Sequence, residues 1–344
     1  MNNHVLSKRW LKKSIVTLAL AAPFIGGYSG IAQAADPELV MKVGITPGPT
    51  SLPALEVNKF SEMMKERTNG AVDVQLFASS LLGKENTQIE GLVAGTHDAF
   101  AHVSAYTGRV KEERYWDLPF LFPDVESVKR VAQGPLRPEI EEHYRKYGME
   151  LIALWGYGWR QFFGNKRPYN VPEDLQGIKH RIPGGKSKQI LFTALGANPS
   201  TVTFSELYQA LKTGVVDSQD NPLSISYETK FHEVTKYVSI CNYIYNPQIF
   251  AVGKPYWDKV PEKYKKIIKE VGRESEDWSY DLMVKLDNET LDKIKQEAPH
   301  IEINYCKKED LPKWQAVAKP VYDAFIEDTS QEWYDKIAKA AAGG

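Results

Sequence analysis

The chain has 344 residues, 42% of them hydrophobic and 25% charged, with a formal net charge of −1. This length suits one large domain or two ordinary ones, each with its own core. So even a charge balance gives no long-range field for nucleic acid or an acidic membrane surface, and no low-complexity tract or fixed-period repeat suggests a fibrous or solenoid protein.

Residues 1–34 read as a signal peptide. Lys8, Arg9, Lys12 and Lys13 form a basic leader, an apolar run covers 15–25, and Ala32-Gln33-Ala34 offers small residues at a signal-peptidase spacing, with cleavage before Ala35. The run is short and interrupted by Gly and Pro, so it does not read as a membrane span. No Cys sits at the cleavage point to carry a lipid. Losing four basic and no acidic residues takes the formal charge from −1 to −5. The mature protein is expected to be soluble and periplasmic.

Beyond the leader, strands and helices alternate. Residues 41–45 predict a strand, Thr46-Pro47-Gly48-Pro49 a turn, and a helix then runs to Arg67 with Phe60, Met63 and Met64 on one face. Asn69-Gly70 ends it. Val72, Val74 and Leu76 alternate with Asp73 and Gln75, the pattern of a half-buried strand. A helix over 85–94 closes on Gly95, and 98–103 is another strand. This β-α-β-α-β order predicts an open, mostly parallel sheet flanked by helices.

The pattern restarts near Leu151. Strands are predicted at 151–157 and 178–182, a helix at 186–195, a Ser205-capped helix ending at Thr213-Gly214, and a strand beginning with Val215 and Val216. Two such runs imply two similar α/β lobes with a cleft between them, off the carboxyl ends of the strands. A long helix from Pro261 to residue 297 follows, with Ile267, Ile268, Val271, Trp278, Leu282 and Leu286 as its inward stripe and Gly272 as a candidate break.

No G-x-S-x-G, Walker loop, G-x-G-x-x-G, H-E-x-x-H or C-x-x-C is present. His97, His102, His180 and His232 show no metal-ligand spacing, so neither metal nor cofactor is expected. Cys241 and Cys306 are the only cysteines; export permits a disulfide, and two separate buried thiols are equally natural.

The positive signal lies in the second half. Gly158-Trp159-Arg160-Gln161 ends an apolar strand. In Ile178-Lys179-His180-Arg181-Ile182-Pro183, alternation puts His180 on the apolar face with Ile178 and Ile182, and Arg181 on the other. His180 therefore reads as a satisfied core histidine. Arg181 precedes Pro183-Gly184-Gly185 and a helix start, where an anion would also meet free N–H groups. Val215-Val216-Asp217-Ser218-Gln219-Asp220-Asn221-Pro222 reads as a strand entering a polar turn. A guanidinium fork suits a carboxylate held by two parallel hydrogen bonds.

These segments, with Leu81-Leu82-Gly83-Lys84-Glu85, Leu118-Pro119-Phe120-Leu121-Phe122 and Leu207-Tyr208-Gln209-Ala210-Leu211-Lys212-Thr213-Gly214, resemble the DctP family of substrate-binding proteins from tripartite ATP-independent periplasmic (TRAP) transporters. The likeness covers nearly all of the mature chain. It implies two α/β lobes joined by crossing strands, one at 35–157 plus about 240–282, the other at 158–239 plus about 283–335, with a spanning helix and a tail at 336–344. It implies a monomer that closes over a small organic anion and delivers it to the small and large permease subunits. It places Arg181 on the ligand carboxylate, with Arg160 and Asn221 beside it and Phe204 packed on the ligand. Thr46, Glu85 and Ser104 fall where the family sorts substrates. Tyr243 departs from the pattern, since many members have His there. The competing readings are an exported enzyme acting on a small acid with Glu85 or His102 as base, and a binding protein serving a sensor.

Overall fold

The computed structural model describes residues 36–344, so the signal-peptide reading of 1–34 lies outside the described residues. β1 (Leu39–Gly44) turns Met41 and Val43 into the core. α1 (Leu52–Arg67) follows, with the Ser51 hydroxyl accepting from the Ala54 N–H and Pro53 in its first turn. β2 (Val72–Phe77) is half-buried, as its alternation predicts. α2 (Glu85–Ala94) ends on Gly95 at φ 80°, a left-handed cap that glycine adopts without strain. β3 (Ala99–His102) and the short α3 (Ser104–Arg109) come next, then α4 (Val125–Ala132), begun by a reciprocal Asp124–Ser127 capping box. α5 (Arg137–Lys146) leads into β4 (Met149–Trp159), buried at every residue but Trp159.

A single residue, Arg160, separates β4 from β5 (Gln161–Gly164) in the other sheet. There follow β6 (Lys179–Ile182), α6 (Lys186–Ala194), β7 (Asn198–Thr201), α7 (Phe204–Thr213), β8 (Ser218–Asn221), α8 (Leu223–Glu228) and β9 (Tyr237–Ile240). The chain returns along β10 (Tyr245–Gly253) and α9 (Lys254–Trp257), then forms α10 (Glu262–Glu297), β11 (Glu302–Tyr305), α11 (Leu311–Asp328) and α12 (Gln331–Ala342).

Two mixed sheets result, in the orders β2-β1-β3-β10-β4 and β11-β9-β5-β8-β6-β7. Within the first, β1 runs parallel to β2 and β3; within the second, β6 runs parallel to β7 and β8, and β11 to β9. The antiparallel members are β10 in the first and β5 in the second, each entering its sheet straight from the other. The architecture is the expected two-lobed α/β fold with crossing strands and a spanning helix.

α10 is about 54 Å long at 1.5 Å per residue. It is unbroken at Gly272, where a Cβ would stand 2.7 Å from both the side chain and the carbonyl oxygen of Ile152. The glycine serves close approach, not a break. The buried face is also more polar than the predicted stripe: Ser275, Glu276 and Ser279 are buried, while Trp278, Leu282 and Leu286 are only partly so. β4 is an edge strand whose outer N–H groups need acceptors. Glu276 accepts from Leu154 N–H at 2.9 Å and Ser279 Oγ from Gly156 N–H at 2.7 Å, while Ser275 Oγ accepts from the Trp155 indole at 2.8 Å. Ile294 and Ala298, at its far end, pack with Phe163 and Val238 of the second sheet.

Further differences are local. Thr203, not Ser205, precedes α7, and Ser205 lies inside its first turn. Val215 and Val216 precede β8 rather than open it; Val215 is exposed, and the strand is the polar quartet Ser218–Asn221 itself. Residues 336–342, expected in a tail, belong to α12, which buries Trp333, Ile337 and Ala341 and packs on α4. Cys241 and Cys306, just beyond the paired strands β9 and β11, form a disulfide with Cα atoms 4.8 Å apart. That settles the alternative left open by the sequence.

Candidate functional site

Between the two sheets lies a small, narrow cavity. On the first-sheet side, Thr46 and Pro47 follow β1, Glu85 opens α2, His102 ends β3 and Ser104 opens α3. On the second-sheet side Arg181 comes from β6, Pro183 follows it, Phe204 opens α7 and Asn221 ends β8. Arg160, between β4 and β5, forms part of the same wall. Strand ends and helix starts thus meet here, as expected where a sheet topology leaves a crevice. All seven residues singled out in the sequence, Thr46, Glu85, Ser104, Arg160, Arg181, Phe204 and Asn221, line this one cavity.

Arg181 is 2% exposed, and only its Nε is engaged, donating to the Val202 carbonyl at 2.8 Å. Among the described residues no carboxylate lies within ion-pair distance of it. Burial and the neighbouring Arg160 charge pull its pKa down to about 10, so it stays cationic at neutral pH. A buried charge without a counter-ion is costly, and a ligand anion would relieve it.

Arg160 differs. Its Nε donates to the Asp220 carboxylate and a terminal nitrogen donates to the Asp220 carbonyl oxygen. Asp220 is fully buried and also accepts from the Tyr243 hydroxyl; Lys188 Nζ lies 3.7 Å away. Although burial opposes its ionisation, Arg160 and Lys188 hold the Asp220 carboxyl well below the usual range. His180 takes the satisfied core position expected of it, with Nδ1 2.7 Å from Ser218 Oγ and Nε2 3.3 Å from Asp220, stacked on Phe192. Tyr243 stacks on Phe162 behind Asp220, outside the cavity lining.

Opposite, Glu85 Oε1 accepts from the Phe204 N–H at 3.0 Å, a bond between the two sides. Burial would raise its pKa, but His102, its own N–H and that of Phe204, and Arg181 outweigh burial and lower it. Burial first, then Arg181 and Arg160, push His102 down to about 4. At neutral pH Glu85 is therefore ionised and His102 neutral.

Sequence reasoning missed six lining residues as ligand contacts: Pro47, His102, Val103, Tyr157, Pro183 and Gln248. The register of β4 against β10 slips at Tyr157, a β-bulge of the kind that redirects side chains beside functional sites. Gln248 carried a readable signal: with Asn246 it is one of two buried amides at the start of β10, ahead of an apolar run. Asp220, read as part of a turn, pins Arg160 instead. Gly184 and Gly185, expected to offer N–H groups to the anion, line the wider cleft outside the inner cavity. Lys84–Glu206 at 2.7 Å and a Thr50–Glu228 hydrogen bond join the two sides of the rim. Among the described residues no set of three or more His, Cys, Asp and Glu is arranged to hold a metal.

The family model for bacterial extracellular solute-binding protein family 7, DctP, matches residues 43–328. The C4-dicarboxylate-binding periplasmic protein DctP of Rhodobacter capsulatus is 30% identical, covering 95% of each chain. The 2,3-diketo-L-gulonate-binding periplasmic protein YiaO of Escherichia coli is 25% identical, over 93% of this chain and 96% of that one. Among solved structures, a TRAP periplasmic solute-binding protein from Sulfurospirillum deleyianum with bound succinate is similar at a TM-score of 0.82 and 28% identity, covering 88% of this chain and 98% of that one.

Proposed function

The chain belongs to the DctP family of bacterial extracellular solute-binding proteins, and on that premise we propose that its inner cavity captures a small organic anion for delivery to a TRAP permease. The observation that carries this reading is Arg181: a buried guanidinium, without a carboxylate of its own, facing a cavity between two sheets. Asn221 and Arg160 flank it, Phe204 supplies an aromatic wall, and Thr46, Glu85 and Ser104 face it across the gap. The relatives' names and the succinate in the similar structure support a carboxylic acid.

The finer reading is a periplasmic monomer released from its signal peptide before Ala35. It is a binder that returns its ligand unchanged, working with one small and one large membrane subunit. The lobes divide at 35–157 plus about 240–282 and 158–239 plus about 283–335, and they close over the ligand. Thermal-shift screening of the mature chain against organic acids tests binding, since a ligand of the folded state raises the melting temperature. Mass spectrometry of the bound acid after incubation tests for turnover. A library without any stabilising acid, or a ligand converted to product, would overturn the proposal.

A further inference from the structure

Resting on the anion-binding reading, we infer that the cavity selects monocarboxylates bearing hydroxyl groups at their far end over dicarboxylates of the same length. Of the two cations in its lining, Arg160 already has a buried counter-ion in Asp220. Arg181 is the one lining cation, among the described residues, without a carboxylate. One uncompensated positive charge calls for one negative charge on the ligand. The facing wall adds no second positive charge: His102 and the neutral Thr46, Ser104 and Gln248 stand there with the ionised Glu85.

Glu85 supplies the second half of the argument. It is a carboxylate with one oxygen held by the Phe204 N–H at 3.0 Å, which fixes its direction across the gap. A ligand hydroxyl donates naturally to an ionised carboxylate, whereas a second ligand carboxylate would meet a like charge in a site whose opposite wall, Arg160, Arg181 and Asn221, is buried. A dicarboxylate gains a second cationic partner there only if His102 takes up a proton.

The test is titration calorimetry at pH 7 on the mature chain with length-matched pairs: D-erythronate against succinate, and D-gluconate against D-glucarate. The hydroxy monocarboxylate of each pair should bind at least thirtyfold more tightly. Glu85→Gln keeps the acceptor for Phe204 and removes the charge, so it should narrow that ratio at least tenfold, chiefly by improving the dicarboxylate; a thermal melt checks that the variant is folded. Tighter binding of succinate or glucarate by the wild type overturns the inference while leaving the anion-binding reading standing. So does a ratio that Glu85→Gln leaves unchanged. Failure of every acid to bind overturns both.

Discussion

Arg160 and Asp220 form a buried pair in which one guanidinium donates to both the carboxylate and the backbone carbonyl of the same partner. Asp220 also faces Lys188 and His180. Asp220→Asn would leave two buried cations without their common counter-ion, which typically costs about 3–5 kcal/mol. Urea unfolding should show that loss. A variant within about 1 kcal/mol of wild type would mean that the pair adds little to the fold.

Arg181 should behave oppositely in stability and in binding. Arg181→Ala should weaken binding by about 3–5 kcal/mol, more than a hundredfold, because the ligand charge loses its partner inside a closed cavity. Arg181→Lys should recover only part, since an ammonium lacks the planar fork. Arg181→Met should stabilise the unliganded protein by about 1 kcal/mol or more, because it removes a buried charge that has no counter-ion. A solvated surface arginine would change neither quantity, so calorimetry and melting on the same variants separate the two cases.

The disulfide closes a loop of 65 residues. By loop entropy that is worth about 4 kcal/mol. Neither sulfur lines the cavity. The Cys241→Ser, Cys306→Ser double variant should therefore unfold at clearly lower urea concentration yet bind the same acid within about twofold, under 0.5 kcal/mol.

Asp287, on α10, accepts from the Ser224 N–H at the start of α8, and burial raises its pKa to about 6. A carboxyl raised in the folded state holds its proton there more tightly than in the unfolded chain. Its contribution to stability is therefore greatest below about pH 4 and falls as pH rises through about 6. The loss should be about 1–2 kcal/mol, smaller than a fully enclosed carboxyl would give, since Asp287 is only partly buried. Asp287→Asn keeps the acceptor and removes the charge, so it should stabilise the protein at pH 7.5 and be neutral at pH 4 in matched unfolding curves.

Much of the lobe architecture was legible in the sequence because its elements follow simple periods: Val72 and Val74 alternate, and Gly95 and Gly214 end helices in the left-handed region. The misses share a physical cause. β8 is wholly buried yet polar, since its side chains satisfy one another and the guanidinium beside them, so no hydrophobic pattern marks it. The inner face of α10 is likewise polar because it serves the edge of β4 rather than a greasy core. In the site, Arg181 could be placed by parity and by likeness, and all seven named residues converge on one cavity. Tyr157 could not, because a bulge is a property of two strands together. Nor does sequence reveal that Asp220 already occupies Arg160.

The junction at Arg160 bears on the proposed closure of the two lobes. Its N–H donates to the Ile244 carbonyl at 2.8 Å, tying the β4–β5 passage to the residues just before β10, where the chain crosses back. If the lobes part as proposed, these two passages would act like the leaves of one door hinge, with Arg160 on the pin. Points on a hinge pin scarcely travel, while the outer edge swings widest, here the rim held by Lys84 and Glu206. Opening would part Glu85 from Phe204 while Arg181, Arg160 and Asn221 turned together as one body. An anion would leave an intact seat whose facing wall had moved off, and its escape would be timed by the rim rather than by any rearrangement of the charges beneath it.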